Sequence, residues 1–273
     1  MAIGTCLLTG HTGTFVKSHL TPQAFTAPEI PGAYFVTAGN RTRPTRSFTS
    51  WYDKKIVIRK GEDVLADLDS YAITTLRQHK LVWSGWDGET CLAPSLHNMI
   101  SDTKGIRKVL FEDVEKIRLF FLSLLWRWAV SRLPVAAEVN LPLAEQHQLR
   151  DMILASDAGD PGVFPIELIQ LSTRGETQNM APIATMKDIE DVESNTKRTV
   201  PFYRFYFDGL VIHIGMSTTS TVVSGLVLGT ETQLVLPTVS YEDSFQRSNL
   251  HRLKQDVNHE FPREFQKFIV PIS

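Results

Sequence analysis

The sequence predicts an α+β fold with an irregular N-terminal region, one buried central helix and a C-terminal antiparallel sheet. The irregular region is indicated by the frequent glycines and prolines of residues 1–60. The central helix is predicted because residues 112–133 place apolar side chains around nearly the full helical circumference. The sheet is predicted because two apolar segments within residues 200–215 are joined by Asp208-Gly209, the two-residue signal for a type I′ hairpin.

The N-terminal elements are predicted to be short. Residues 5–8, 33–37 and 55–58 favour brief β segments between turn-forming residues. Residues 63–79 favour a helix, because their apolar side chains recur on one stripe at helical spacing.

The elements after the central helix follow from proline positions and apolar runs. A second helix is predicted over residues 142–155, with a proline at a favourable first-turn position. Strands are predicted at residues 164–171, 218–223 and 232–236, and the last two would extend the hairpin sheet. Residues 180–197 are polar and partly acidic, which suggests a mobile insertion.

The C-terminal end of the chain carries a polar helix at residues 245–258 and an apolar tail at residues 265–272. Together the patterns predict two units. Residues 1–80 would form a small N-terminal module, and residues 81–273 would form an α+β body that contains the antiparallel hairpin.

The formal net charge of −2 is unevenly distributed along the chain. Residues 1–60 carry eight basic and two acidic side chains, a balance of +6, so the remaining residues carry −8. This asymmetry favours an anionic partner for the N-terminal region, and nearby aromatic side chains could stack on bases. The predicted contacts to DNA or RNA are Lys17, Arg41, Arg43, Arg46, Lys54 and Lys55.

Cysteine content and hydropathy exclude several classes of protein. Cys6 and Cys91 are the only cysteines, which excludes a disulfide framework and a zinc site made of cysteines alone. The most apolar stretch, residues 119–130, contains Ser123 and Arg127 and is shorter than the roughly 20 residues of a spanning helix. We therefore predict a cytoplasmic protein without a membrane segment.

Two glycines near the N-terminus resemble part of a motif that is typical of one class of enzymes. The sequence TGHTG at residues 9–13 resembles the dinucleotide-binding turn of short-chain dehydrogenases. However, Val16 replaces the third glycine of that fingerprint, and Pro22 interrupts the helix that should follow. The same valine replaces the glycine that a P-loop needs before Lys17. A dinucleotide-dependent oxidoreductase is the third-ranked alternative.

A different family shares more of this segment. The segment from Cys6 to Thr9 is followed by His19, ten positions after Thr9. This pattern resembles the opening of the uncharacterised bacterial HNH-like treble-clef family, which begins with a C-x-x-C knuckle. Thr9 stands in for the second cysteine, and Ile58 and Gly61 stand in for the cysteines of the second knuckle. Because a structural zinc needs four ligands, the one remaining cysteine predicts a module without structural zinc.

The resemblance also implies a site and a function. His19 would be the general base, and Asp53, Glu62 and Asp69 would be its acidic neighbours. If the module is catalytic, Mg²⁺ or Mn²⁺ would be its cofactor. It implies a nucleic-acid-associated protein, or an HNH-like endonuclease of bacterial phage defence. In the structural alternative, Glu62 only stabilises a helix N-terminus. The functional alternative is a non-catalytic interaction or scaffold subunit that binds a protein partner or a second copy. Whether the chain is an enzyme stays open.

Overall fold

A computed structural model shows an α+β protein. It describes residues 2–27, 34–39, 42–191, 196–216 and 224–269. The helices are α1 (Arg59–Gln78), α2 (Val114–Val130), α3 (Leu143–Ala155), α4 (Phe245–Glu260) and α5 (Pro262–Ile269). The strands are β1 (Ile3–Thr5), β2 (Thr12–Thr14), β3 (Ser18–His19), β4 (Phe35–Gly39), β5 (Thr42–Ser47), β6 (Tyr52–Asp53), β7 (Asn98–Met99), β8 (Lys104–Leu110), β9 (Ile166–Leu171), β10 (Ile183–Asp191), β11 (Thr196–Phe207), β12 (Leu210–Gly215) and β13 (Gln233–Val239).

Helix α2 is the buried central helix that the apolar pattern predicts. Every residue from Ile117 to Trp128 is buried, and the helix packs against both α1 and α3. Its N-terminus is capped by Asp113, whose side chain accepts a hydrogen bond from the Lys116 backbone N–H at 2.8 Å. Helix α3 begins directly after Pro142, as predicted, whereas α1 begins four residues earlier than its apolar stripe indicates.

The largest sheet has seven strands in the order β10-β11-β12-β9-β13-β8-β7. The predicted hairpin is confirmed, because Asp208 and Gly209 join β11 and β12 with φ angles of 49° and 81°, as a type I′ turn requires. The sheet is mixed rather than purely antiparallel, because β13 pairs with β9 in parallel. It also includes β7 and β8, which precede the central helix and were not predicted.

The polar segment at residues 180–197 is not simply a mobile insertion. Strand β10 pairs with β11 along its whole length, from Ile183 to Asp191. An edge strand with solvent on its faces tolerates polar side chains, which explains why the hydropathy pattern misled the prediction. The strand predicted at residues 218–223 lies outside the described residues.

Apolar side chains cover both faces of the sheet centre. All six residues of β12 are buried. Ile212 belongs to the main core with α2, whereas Val211 joins a smaller cluster with Trp83, Trp86 and Tyr241 on the other face. The hairpin is therefore a central part of the sheet and not an exposed binding element. Trp126 and Trp128 are buried in the main core, and Trp83 and Trp86 are buried in the smaller cluster.

The N-terminal region contributes three two-stranded sheets, β1-β2, β3-β6 and β4-β5. Its buried residues Cys6, Leu8 and Val57 belong to the same apolar core as α2. The domain boundary near residue 80 stays a prediction. Within the described ranges, each helix is either too short or too polar to cross a lipid bilayer.

Candidate functional site

The turn between β1 and β2 wraps around Cys6. The Thr9 backbone N–H donates to Cys6 Sγ at 3.4 Å, and the Cys6 N–H donates to the His11 carbonyl at 2.9 Å. The Gly10 N–H donates to the Cys6 carbonyl at 2.9 Å, and Gly10 adopts a φ of 73° that glycine tolerates well. This tight turn buries Cys6, which keeps 1% of its surface exposed.

The segment before α1 meets this turn from the other side. The Leu7 N–H donates to the Ile56 carbonyl at 2.8 Å, and the Val16 N–H donates to the Val57 carbonyl at 3.1 Å. Gly61, in the first turn of α1, packs directly on Cys6, because a Cβ added there would lie 2.8 Å from its Sγ. Apolar packing occupies the space between the two segments. In the part of the chain that the structure describes, no three His, Cys, Asp or Glu side chains are grouped to hold a metal ion.

His19 lies on the short ladder between β3 and β6. Its ring is 6.0 Å from the Tyr52 ring in an edge-on contact, and its Nε2 lies 3.4 Å from Thr49 Oγ1. Partial burial lowers the pKa of His19 below its ordinary value, and the positive charges of Lys17 and Arg127 lower it further. The imidazole is therefore neutral at pH 7.

Asp69 is engaged by a buried arginine. Both terminal nitrogens of Arg127 bind its carboxylate, at 3.0 and 2.5 Å. The guanidinium also donates to the His19 carbonyl at 3.1 Å and to Ser123 Oγ at 2.9 Å. The Arg127 side chain is 1% exposed and that of Asp69 is 19% exposed, so the pair is largely shielded from water. This ion pair joins α1, α2 and β3.

Glu62 lies near the same arginine and contacts the Ser18 hydroxyl. Burial is the main cause that raises the pKa of Glu62, and contact with the Ser18 hydroxyl and the charge of Arg127 oppose this rise. The buried oxygens Glu62 Oε2 and Ser18 Oγ do not reach normal hydrogen-bond geometry with any described group. Because Glu62 lies in the first turn of α1, its structural role at the helix N-terminus stays open.

Asp53 lies on the opposite face of the β3-β6 ladder from His19. It pairs with Ser18 across the β3-β6 ladder, whereas His19 pairs with Tyr52, and successive side chains of a strand point to opposite faces. Its carboxylate accepts from the Lys55 N–H at 2.8 Å and from Ser131 Oγ at 2.8 Å. Asp53 therefore ties the β6 turn to the end of α2. Of the predicted set, the structure brings His19, Glu62 and Asp69 near Arg127.

The predicted basic residues separate into two places. Lys17 and Lys54 place their Nζ atoms 4.2 and 5.6 Å from the centre of the Tyr52 ring. Arg46 lies elsewhere, with its guanidinium 4.6 Å from the Tyr34 ring. Arg41 and the side chain of Arg43 lie outside the described residues.

A cavity of about 600 Å³ adjoins Tyr52. Lys54, Lys55, Arg132 and the acidic Asp53 line it together with apolar side chains such as Leu7 and Leu133. We call Lys17, Tyr52, Lys54, Lys55 and Arg132 the Tyr52 surface. The sequence-based prediction missed Tyr52 and Arg132, although an aromatic residue directly before Asp53-Lys54-Lys55 was a usable signal. It also missed the role of Arg127, because the partner residue is 58 positions away.

Comparisons of the chain with protein-family models, with curated proteins and with solved structures found no match.

Proposed function

We propose that the protein binds nucleic acid through the Tyr52 surface. The observation that carries this proposal is the placement of two lysine ammonium groups around one partly exposed aromatic ring. Ammonium groups attract phosphates without regard to sequence, and an aromatic ring offers a stacking surface to any base. Lys55 and Arg132 continue the positive charge along the cavity. This combination suits a single-stranded segment better than a duplex, because only unpaired bases can stack on a side chain.

The arrangement around Cys6 supports the treble-clef part of the proposal. The two segments that resemble knuckles lie against each other, and α1 begins within the second one. Cys6 and Gly61 are in contact at the place where cysteines of both knuckles would bind zinc in the family. We infer a treble-clef-like unit in which apolar packing has replaced the zinc ion.

The test is a titration of a fluorescent single-stranded oligonucleotide at several salt concentrations. For Lys17→Gln/Lys54→Gln we expect weaker binding and a salt slope that is smaller by about 1.4, since each lost phosphate contact removes about 0.7 on single strands. Tyr52→Ala should lose about 1–3 kcal/mol of binding free energy per stacked base, whereas Tyr52→Phe should keep most of it.

The matched control removes two exposed lysines from the body. Lys104 and Lys108 are exposed on β8, away from the Tyr52 surface. Lys104→Gln/Lys108→Gln changes the net charge by the same amount and should leave the salt slope unchanged. Equal losses in both double variants would show that only overall charge matters and would contradict the assigned surface.

Hydrolysis of the bound strand at His19 is a second hypothesis. It is favoured by the lowered pKa of His19, since a general base must be neutral at the working pH. Arg127 binds both oxygens of Asp69, and Lys55 and Ser131 bind those of Asp53, so a role for Mg²⁺ or Mn²⁺ stays a prediction. We therefore derive no metal-dependent step. Plasmid nicking that persists unchanged in His19→Ala would exclude this base.

A protein-interaction role is favoured by a separate apolar surface. Met99 on β7, the adjacent Ile100, and Ile106 and Leu110 on β8 are exposed by 37% to 69%. Such a patch at a sheet edge is typical of a contact with another chain. If this face binds a second copy, sedimentation should show a dimer that Leu110→Lys dissociates. A monomer at all concentrations would exclude self-association.

A further inference from the structure

The cavity beside Tyr52 has an apolar wall that belongs to the folded core. Its volume of about 600 Å³ lies within the range of about 300–1000 Å³ that is usual for small-molecule sites. Phe15, Val130 and Leu133 line the cavity, and all three pack against the main apolar core. This part of the wall therefore offers apolar surface to a group that enters the cavity.

The charged side chains at the cavity differ in their depth. Lys54, Lys55 and Arg132 are exposed, so their cationic groups lie toward solvent. Asp53 is 6% exposed, and its carboxylate accepts from the Lys55 N–H and from Ser131 Oγ, both at 2.8 Å. An anion deep in the cavity would be repelled by this carboxylate, whereas an anion at the mouth would be attracted by the cations. The cavity therefore suits a ligand whose uncharged part enters and whose anionic part stays outside.

A nucleotide within a single strand has this division of charge. Its base is a flat, uncharged ring system, and its phosphates carry the negative charge. Apolar walls can contact the faces of the base, while the exposed cations attract the phosphates. A carboxylate oxygen has more than one lone pair, so Asp53 can accept from an N–H at the edge of the base in addition to its present hydrogen bonds.

We propose that one unpaired base of the bound single strand enters this cavity, while neighbouring phosphates contact Lys54, Lys55 and Arg132. This placement rests on the proposed binding of nucleic acid at the Tyr52 surface. The Tyr52 ring lines the cavity, so it contacts the base that enters. The substrate class is a flexible single strand, because turning one base away from its neighbours costs least where the base is not paired.

The first measurement compares two fluorescent single strands of equal length, an oligothymidylate and a strand with the same sugar-phosphate backbone but no bases. The wild type should bind the oligothymidylate about five to 150 times more tightly, the range for one stacked base. Leu133→Trp should lose most of this preference, because the larger ring fills the cavity, and it should bind the strand without bases as the wild type does.

The matched control places the same new side chain elsewhere. Leu143 on α3 is 65% exposed and lies outside the cavity lining, so Leu143→Trp should behave as the wild type. If Leu143→Trp loses as much preference as Leu133→Trp, the effect does not come from the cavity and the placement of the base is wrong.

The other outcomes separate the cavity from the surface around it. If Leu133→Trp keeps the full preference for bases, no base enters the cavity, while binding at the Tyr52 surface still stands. Equal binding of both strands by the wild type would also exclude a base in the cavity, and it would leave the attraction of phosphates intact. If the wild type binds neither strand, binding of nucleic acid and the placement of the base are both wrong.

A cross-link on the wild-type protein gives a result that does not depend on the folding of Leu133→Trp. A bound single strand that contains 5-iodouracil is irradiated, and mass spectrometry identifies the linked residue. Phe15 lines the cavity but is not part of the Tyr52 surface, so a cross-link at Phe15 is expected. Cross-links at Tyr52 without any at Phe15 would place the base outside the cavity and contradict the proposal.

Discussion

Replacing Asp69 with asparagine removes the countercharge of Arg127 with little change in shape. The guanidinium is 1% exposed and would keep Ser123 Oγ and the His19 carbonyl as acceptors. Removing one partner of a buried ion pair costs about 3–5 kcal/mol, because the remaining charge is left in a medium of low dielectric constant. Asp69 is 19% exposed, and the amide oxygen of the new asparagine still accepts one hydrogen bond. We therefore expect the free energy of unfolding to fall by about 3 kcal/mol, the low end of this range.

Urea unfolding followed by tryptophan fluorescence measures this loss. A thermal midpoint should fall by about 6 °C, since about 2 °C accompanies each kcal/mol in a protein of this size. The matched control is Asp67→Asn on the same helix. Asp67 contacts Lys116 at 2.8 Å, but the two side chains are 69% and 31% exposed, and such surface pairs contribute less than about 1 kcal/mol.

A double variant tests whether the stranded charge of Arg127 causes the loss of stability. If the loss comes from a stranded charge, then Arg127→Met in the Asp69→Asn background should recover part of the stability, since an uncharged pair has no desolvation cost. Equal destabilisation by Asp67→Asn and Asp69→Asn would refute the explanation by a stranded charge. A double variant whose losses simply add would also refute it.

Three further outcomes can be measured by urea unfolding. Gly209→Ala should destabilise the protein by at least about 1 kcal/mol more than Gly10→Ala. Both glycines have positive φ, but only at Gly209 would a Cβ clash, at 2.4 Å from Trp83 Nε1. Equal losses of stability in the two variants would contradict the clash. Burial lowers the pKa of His213 to about 3, so its stabilising contribution is present above pH 6.5 and is lost as pH falls toward 3. His213→Gln should flatten the stability profile in that range, and an unchanged slope would disprove the assignment. Burial raises the pKa of Asp208 to about 6, so its contribution is present below pH 3.8 and is lost as pH rises through 6. Asp208→Asn should therefore gain stability relative to the wild type between pH 4 and pH 7, by roughly 2–3 kcal/mol, and a constant difference would count against this.

Local patterns predicted the elements whose causes are local. The apolar circumference of residues 112–133 predicted α2, and Asp208-Gly209 predicted the β11-β12 hairpin with its positive φ angles. Both signals lie within a few residues of the structure that they specify. Strand β8 escaped prediction, because its exposed positions include Ile106 and Leu110 and its buried positions include Arg107, which reverses the usual alternation.

The candidate site depended on contacts between distant residues. From the sequence, His19, Glu62 and Asp69 could be selected as polar residues near a recognisable pattern, but Asp53 belonged to the same list. Pairing on the β3-β6 ladder places Asp53 and His19 on opposite faces. The ladder is two residues long on each strand, too short for a hydropathy pattern to specify its register.

Residue types and their order were enough to establish an α+β chain with one buried helix, a tight hairpin and a basic N-terminal region. The partners of the buried charges came from long-range packing. Arg118 donates to backbone carbonyls at residues 158–163, and Arg127 binds Asp69 on another helix. A buried cation must find acceptors wherever the fold supplies them, and that choice depends on how α1, α2 and the loops pack together rather than on neighbouring residues.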